Sequence, residues 1–181
     1  MLNKIVQLDN LIVKKIAHLH NPVLNKIMII STKLGNGAFV WWITLSFPFL
    51  VIDSTRTTGI YLTLALGVTY VTGELIIKPI FSRTRPSTHL HDHELLVKRP
   101  KDYSFPSGHT ASSFTAATVT LLMCPLYIFI PVLVGAIIIS FSRMYLRVHY
   151  FSDVFCGAVL GISSGVLCVF LFSRFLPDFF G

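Results

Sequence analysis

The chain has 181 residues, of which 53% are hydrophobic and only 13% charged, and its formal net charge is +7. A mean hydropathy of +0.70 is too apolar for an ordinary soluble domain of this size. The basic residues fall between apolar segments, without an interleaved aromatic and basic surface module, so the charge points to anionic lipid or a phosphate-bearing substrate and not to nucleic acid.

In chain order, the first twenty residues scatter Lys4, Lys14 and Lys15 among apolar positions. They lack the continuous apolar core and small-residue cleavage site of a signal peptide. Leu2, Ile5, Leu8, Leu11, Ile12, Ile16 and Leu19 recur at helical spacing. That pattern predicts an amphipathic helix, lying at the membrane surface or packed on a bundle. Pro22 can open a second helix and Gly35-Asn36-Gly37 can end it. Apolar spans are expected over 37–52, 57–79, 107–123, 126–142 and 153–173, each close to the roughly 20 residues that cross a bilayer. The expected fold is all-α, a polytopic membrane bundle of about five transmembrane helices with an N-terminal amphipathic helix. It forms a single integral membrane domain over 1–181, with 1–36 interfacial and 37–173 the bundle.

Trp41 and Trp42 are expected at a membrane interface. Cys124, Cys156 and Cys168 lie in or beside apolar segments and read as small buried hydrophobes, since an odd number without paired spacing suits neither a disulfide framework nor a zinc site. Gly157, Gly161 and Gly165 repeat every four residues. They form a stripe where another helix can approach closely, in this chain or a second copy.

Five spans put the 78–106 loop, the 142–152 loop and the N-terminus on one face of the membrane. The Asp53–Arg56 turn, Cys124-Pro125 and the C-terminus lie on the other. Charged clusters distant in sequence therefore share a face. Lys78, Arg85 and Arg143 bring three cations there, and charge at membrane depth usually marks function. Three cations need an anion, and phosphate suits a guanidinium fork joined by an ammonium. The stretch "FPSGHTASSF" opens an apolar helix with Ser107, Gly108 and His109. A helix N-terminus with a hydroxyl and a glycine can hold an oxyanion against its backbone. His149 and Asp153 stand four apart, so on one helix face the carboxylate could fix the tautomer of the ring and aim its other nitrogen as a nucleophile. His109 could serve as general acid.

Lys-x6-Arg-Pro (Lys78 to Pro86), Pro-Ser-Gly-His (Pro106 to His109) and Ser-Arg-x5-His-x3-Asp (Ser142 to Asp153) together resemble the type 2 phosphatidic acid phosphatase superfamily. The resemblance covers about residues 22 to 173. It implies that His149 attacks phosphorus to give a phosphohistidine, Asp153 orients His149, and His109 protonates the leaving oxygen. It further implies that Lys78, Arg85, Ser107, Gly108 and Arg143 hold the phosphoryl oxygens, and that neither metal nor cofactor is required. The implied substrate is a lipid phosphate or diphosphate taken from the bilayer, with undecaprenyl diphosphate and phosphatidylglycerol phosphate foremost. A phosphotransferase using the same phosphohistidine, and a non-catalytic lipid-phosphate binder, stand as alternatives.

Four further readings complete the sequence. Arg83 and Arg147 are expected to be solvated or to snorkel. Glu74 is expected to pair with Lys78, four residues on. "HLHDHE" (His89 to Glu94) reads as a mobile loop at the mouth of the site, not a metal site. The lysines of the site face alone would make it cytoplasmic, whereas the resemblance implies the outer face of a bacterial inner membrane, which is the reading adopted.

Overall fold

The computed structural model describes residues 2–175, and among these all regular structure is helical. The expected placement of the C-terminus concerns residues outside that range. Seven principal helices follow in order: α1 (Leu2–Ala17), α2 (Pro22–Leu34), α3 (Asn36–Val51), α4 (Asp53–Phe81), α5 (Gly108–Met123), α6 (Leu126–Tyr145) and α7 (Phe151–Phe175). Three are long and apolar enough to cross a membrane, namely α4, α6 and α7, and a fourth span results if the bent pair α2 and α3 counts as one. The chain is an integral membrane protein with an all-helical bundle.

Local chemistry sets the breaks. Asn21 caps α2 by accepting from Leu24 N at 2.9 Å, with Pro22 in the first turn. Gly37 and Ala38 take positive φ, 56° and 58°, and the chain bends by 55° there. Two helices widen into π turns, over Trp42–Ser46 and Val71–Ile77. Each ends just ahead of a proline, Pro48 or Pro79. A proline ring displaces the carbonyl four residues back and supplies no N–H, and a π turn is a compact way to absorb that.

The 16-residue α5 runs through the centre. Its Ala111, Ala116, Ala117 and Val119 are buried, and so are the hydroxyls of Thr110, Ser113, Thr115 and Thr120. Small side chains let its neighbours come close, and the hydroxyls find partners. Trp41 Nε1 donates to Ser113 Oγ at 3.0 Å, and the Thr69 and Thr115 hydroxyls lie 2.7 Å apart. Trp41 is thus a core residue, only 5% exposed, and not the interface marker expected. Its indole N–H meets a hydroxyl inside the bundle in place of water or headgroups.

The glycine stripe packs α7 against α5 of the same chain. A Cβ on Gly161 would lie 2.2 Å from Ala111 O, and one on Gly157 would lie 2.6 Å from Ser107 O. The outer faces remain apolar, with Phe47, Ile130, Val134, Phe155, Val166 and Phe170 exposed, as a lipid-facing surface requires. On α1, Ile5, Leu8 and Leu11 also point outward, while Asp9 is buried.

Candidate active site

α4 ends in the first cluster. The π turn gives Lys78 N–H a bond to Gly73 O in place of the carbonyl of Glu74, and this rotates Lys78 inward, where it is 6% exposed. Its ammonium donates to Glu74 Oε2 and to Asp102 Oδ2, each at 2.6 Å. The expected Glu74–Lys78 pair is therefore present. Ser82, at φ 44°, stops the helix and sends the chain back towards Arg85. That guanidinium reaches Asp102 Oδ1 and Oδ2 at 2.9 Å and donates through Nη1 to Val148 O and to His149 Nε2, both at 2.8 Å.

α6 supplies the second cluster. Arg143 lies in its last turn, buried, and Arg147 at φ 55° folds the chain back so that Val148 N and His149 N both bond Arg143 O. His149 therefore sits in the tight turn before α7, not on the first turn of the helix as the sequence spacing suggested. Because Arg85 can only donate, His149 Nε2 is an acceptor and the ring proton lies on Nδ1. Nδ1 stands 3.5 Å from Asp153 Oδ2 and has no closer partner. Burial first, then the charges of Arg85, Arg143 and Lys78, hold His149 well below the ordinary histidine range. The ring is neutral, and its Nε2 lone pair accepts from Arg85 Nη1.

The start of α5 makes the third cluster. Ser107 N donates to Asp153 O at 3.0 Å, tying the start of α5 to α7. The Ser107 hydroxyl is fully buried and accepts from Thr110 Oγ1 at 3.0 Å, behind the cavity wall. A Cβ on Gly108 would come 2.1 Å from Glu74 Oε1, so glycine here admits a carboxylate to the helix N-terminus. His109 Nε2 faces Thr32 O at 3.2 Å and Asn36 Oδ1 at 3.0 Å.

Lys78, Arg85, Gly108, His109, Arg143 and His149 all line one cavity of about 640 Å³. Asp153 and Ser107 stand behind that wall. The cavity continues along α3 and α4 past Trp42, Leu66 and Tyr70, so a polar end opens directly into an apolar groove. Arg143 donates to Thr32 Oγ1 and has no carboxylate partner among the described residues, and its Nε is unsatisfied. A buried guanidinium in that state calls for an anion.

Sequence reasoning passed over several participants. Asp102 lies seven residues before His109 in an irregular loop and bridges Lys78 and Arg85. Burial would raise its pKa, but the bond from Lys78 and the Arg85 charge bring it down to about 2. Thr32 and Asn36 arrive from the α2–α3 bend. Arg83 is not the snorkelling residue expected: it pairs with Asp9 at 2.7 Å and Asp153 at 2.6 Å, since a guanidinium between two buried carboxylates gains more than one in water. In the "HLHDHE" loop the rings of His91 and His93 stack at 5.5 Å.

Fold and site together describe a helical bundle with a cleft lined by three cations and two histidines. Residues 58–176 match the PAP2 superfamily, well over half of the chain, and the chain belongs to that superfamily. It is 34% identical over 138 residues to the undecaprenyl-diphosphatase of Sulfolobus acidocaldarius, covering 76% of this chain and 66% of the relative, just under two thirds of the latter. It is 30% identical over 159 residues to the undecaprenyl-diphosphatase BcrC of Bacillus subtilis, covering 86% and 77%. The transmembrane PAP2-type phosphatidylglycerolphosphate phosphatase of Bacillus subtilis superposes with a TM-score of 0.78 at 24% identity, over 97% of this chain and 90% of that one. That likeness concerns the fold.

Proposed function

We propose that the chain hydrolyses a lipid phosphate or diphosphate through a phosphohistidine, with undecaprenyl diphosphate or phosphatidylglycerol phosphate as substrate. The observation that carries this reading is His149: a neutral ring on the cavity wall whose Nε2 accepts only from Arg85, a donor that can pass to a phosphoryl oxygen as Nε2 attacks, with Lys78 and Arg143 around it. In the first step Nε2 attacks phosphorus, the bond to the leaving oxygen breaks, and that oxygen takes a proton from His109. In the second, water attacks the phosphohistidine, gives a proton to His109, and the P–N bond breaks to release phosphate. Lys78, Arg85, Arg143 and the Gly108 N–H stabilise the oxygens as charge develops, the role of an oxyanion hole, while the Ser107 hydroxyl, expected from the sequence to join them, stands behind the wall with Thr110. Asp153 stabilises the imidazolium.

The apolar groove beyond the cradle supports a lipid substrate, since the tail can lie along α3 and α4 while the phosphate reaches His149. In this reading α3 to α7 are five crossing elements, with α5 shielded at the centre and α1 at the surface. The site faces the outside of a bacterial inner membrane.

The test is phosphate release by the detergent-solubilised protein from a panel of lipid phosphates and diphosphates, with EDTA present. Release is expected from one substrate class, indifferent to EDTA and reduced at least about a thousandfold in His149→Ala. Transfer of the phosphoryl group to a second lipid in place of water would favour a phosphotransferase. Binding without turnover by the folded protein would overturn the enzymatic reading.

A further inference from the structure

We propose that Asp9 and Arg83 are positioning residues for His149, acting through Asp153, and that seating of α1 is thereby a condition of activity. This rests on the phosphohistidine reading above. Asp9 belongs to the amphipathic N-terminal helix, where Ile5, Val6, Leu8, Asn10 and Leu11 around it are all exposed. It alone of these points inward and is 1% exposed. A carboxylate is costly to bury unless it is paired and bonded, and Asp9 is both. Its Oδ1 accepts from Ser152 N at 2.9 Å, and its Oδ2 accepts from Ser152 Oγ at 2.6 Å and from Arg83 Nη2 at 2.7 Å.

Arg83 then carries the link forward. Its Nη1 donates to Asp153 Oδ1 at 2.6 Å and to Ser152 Oγ at 2.7 Å, and the guanidinium lies 4.2 Å from the centre of the Tyr150 ring. Burial opposes its charge, but the two carboxylates outweigh that and raise its pKa. With Oδ1 held by Arg83 and Oδ2 by Tyr150 N at 2.9 Å, Asp153 has no freedom to turn. Its Oδ2 is thereby directed at His149 Nδ1.

Charge gives the chain of contacts a chemical purpose. Arg83 alone would cancel Asp153, leaving nothing to balance the positive ring that forms when His149 is phosphorylated. Asp9 restores one negative charge to the group. Two carboxylates and one guanidinium net to −1, which the phosphorylated imidazolium brings to zero. Asp9→Asn removes that charge while keeping the shape. A purely structural cap on α7 would have no such dependence.

The full-length protein in lipid vesicles provides the test, with phosphate release from a diphosphate-bearing lipid followed for wild type, Asp9→Asn, Asp9→Glu, Arg83→Gln and Arg83→Lys. Asp9→Asn is expected to lower kcat about 10- to 100-fold, the range for groups that orient a functional histidine through its partner. KM should stay within about twofold, because no substrate contact is lost. Asp9→Glu, which keeps the charge, should recover part of kcat. Arg83→Gln should be worse than Arg83→Lys. A folded Asp9→Asn with wild-type kcat overturns the inference. So does a loss of kcat that parallels a loss of thermal stability and is not relieved by Asp9→Glu. A wild type that releases no phosphate from any lipid overturns the phosphatase reading itself, and this inference with it.

Discussion

The two sides of the His149 ring are built to different rules. In front, Lys78 and Arg85 are buried, but the carboxylates that answer them are not: the Glu74 side chain is 28% exposed and that of Asp102 51%. Behind, the Asp9 side chain is buried and that of Asp153 fully enclosed, with Arg83 between them. A half-exposed ion pair contributes little and is readily exchanged. A buried one costs several kcal/mol to break from one side. On the proposed function, the front exchanges its carboxylates for a phosphoryl group, with Asp102 and Glu74 standing where its oxygens would lie. The back is not exchangeable and holds the ring in place.

Substitutions on the two sides should part company accordingly. Arg143→Gln strikes the front cation that has no ion-pair partner among the described residues, and should lower kcat/KM about 10²- to 10³-fold, as loss of one preorganised donor does. Arg143→Lys should recover only part, lacking the guanidinium fork; steady-state kinetics on a lipid diphosphate would show this, and near-wild-type activity in Arg143→Gln would remove Arg143 from the cradle. The seam that carries both sides is the α5–α7 contact. Gly161→Leu would drive a side chain into Ala111 O, and about 3 kcal/mol or more of stability should be lost, measured as a fall in Tm in detergent.

Protonation distinguishes the sides next. The folded pKa of His149 lies below the unfolded value of about 6.5. Its contribution to stability is thus complete above that pH and is lost as pH falls below it. Histidine ¹⁵N spectra, assigned by difference against His149→Ala, should show the ring still neutral at pH 6.5, and a ring half-protonated there would contradict the geometry. The smallest effect is expected at Asp102. Asp102→Asn removes the competing carboxylate, and inhibition by inorganic phosphate should tighten by about two- to fivefold, the worth of a partly exposed ion pair. An unchanged or weaker inhibition constant would mean that Asp102 does not occupy the phosphate position.

Much of this was legible beforehand. The five apolar stretches read at 37–52, 57–79, 107–123, 126–142 and 153–173 each fall on a helix to within one residue, because an apolar run bounded by proline, glycine or charge has few other ways to satisfy its backbone. Five crossings were harder to read than five helices. α5 is apolar like the others, yet it is short and enclosed by its neighbours, a difference of surroundings that composition does not encode. Trp41 illustrates the same point, since an indole reads alike whether its N–H meets water or Ser113.

By itself the sequence determined which residues bear charge at helix ends, and so the three motifs with Lys78, Arg85, Gly108, His109, Arg143 and His149. Each motif is a short run at one helix terminus, and local spacing is enough to place it. Only the tertiary structure decided what stands beside them. Asp9 comes from α1, Thr32 and Asn36 from the α2–α3 bend, and Asp102 from an irregular loop, and no spacing rule links them to His149. Their partnership arises from packing: burying a charge obliges the fold to bring it a counter-charge from wherever in the chain one can reach.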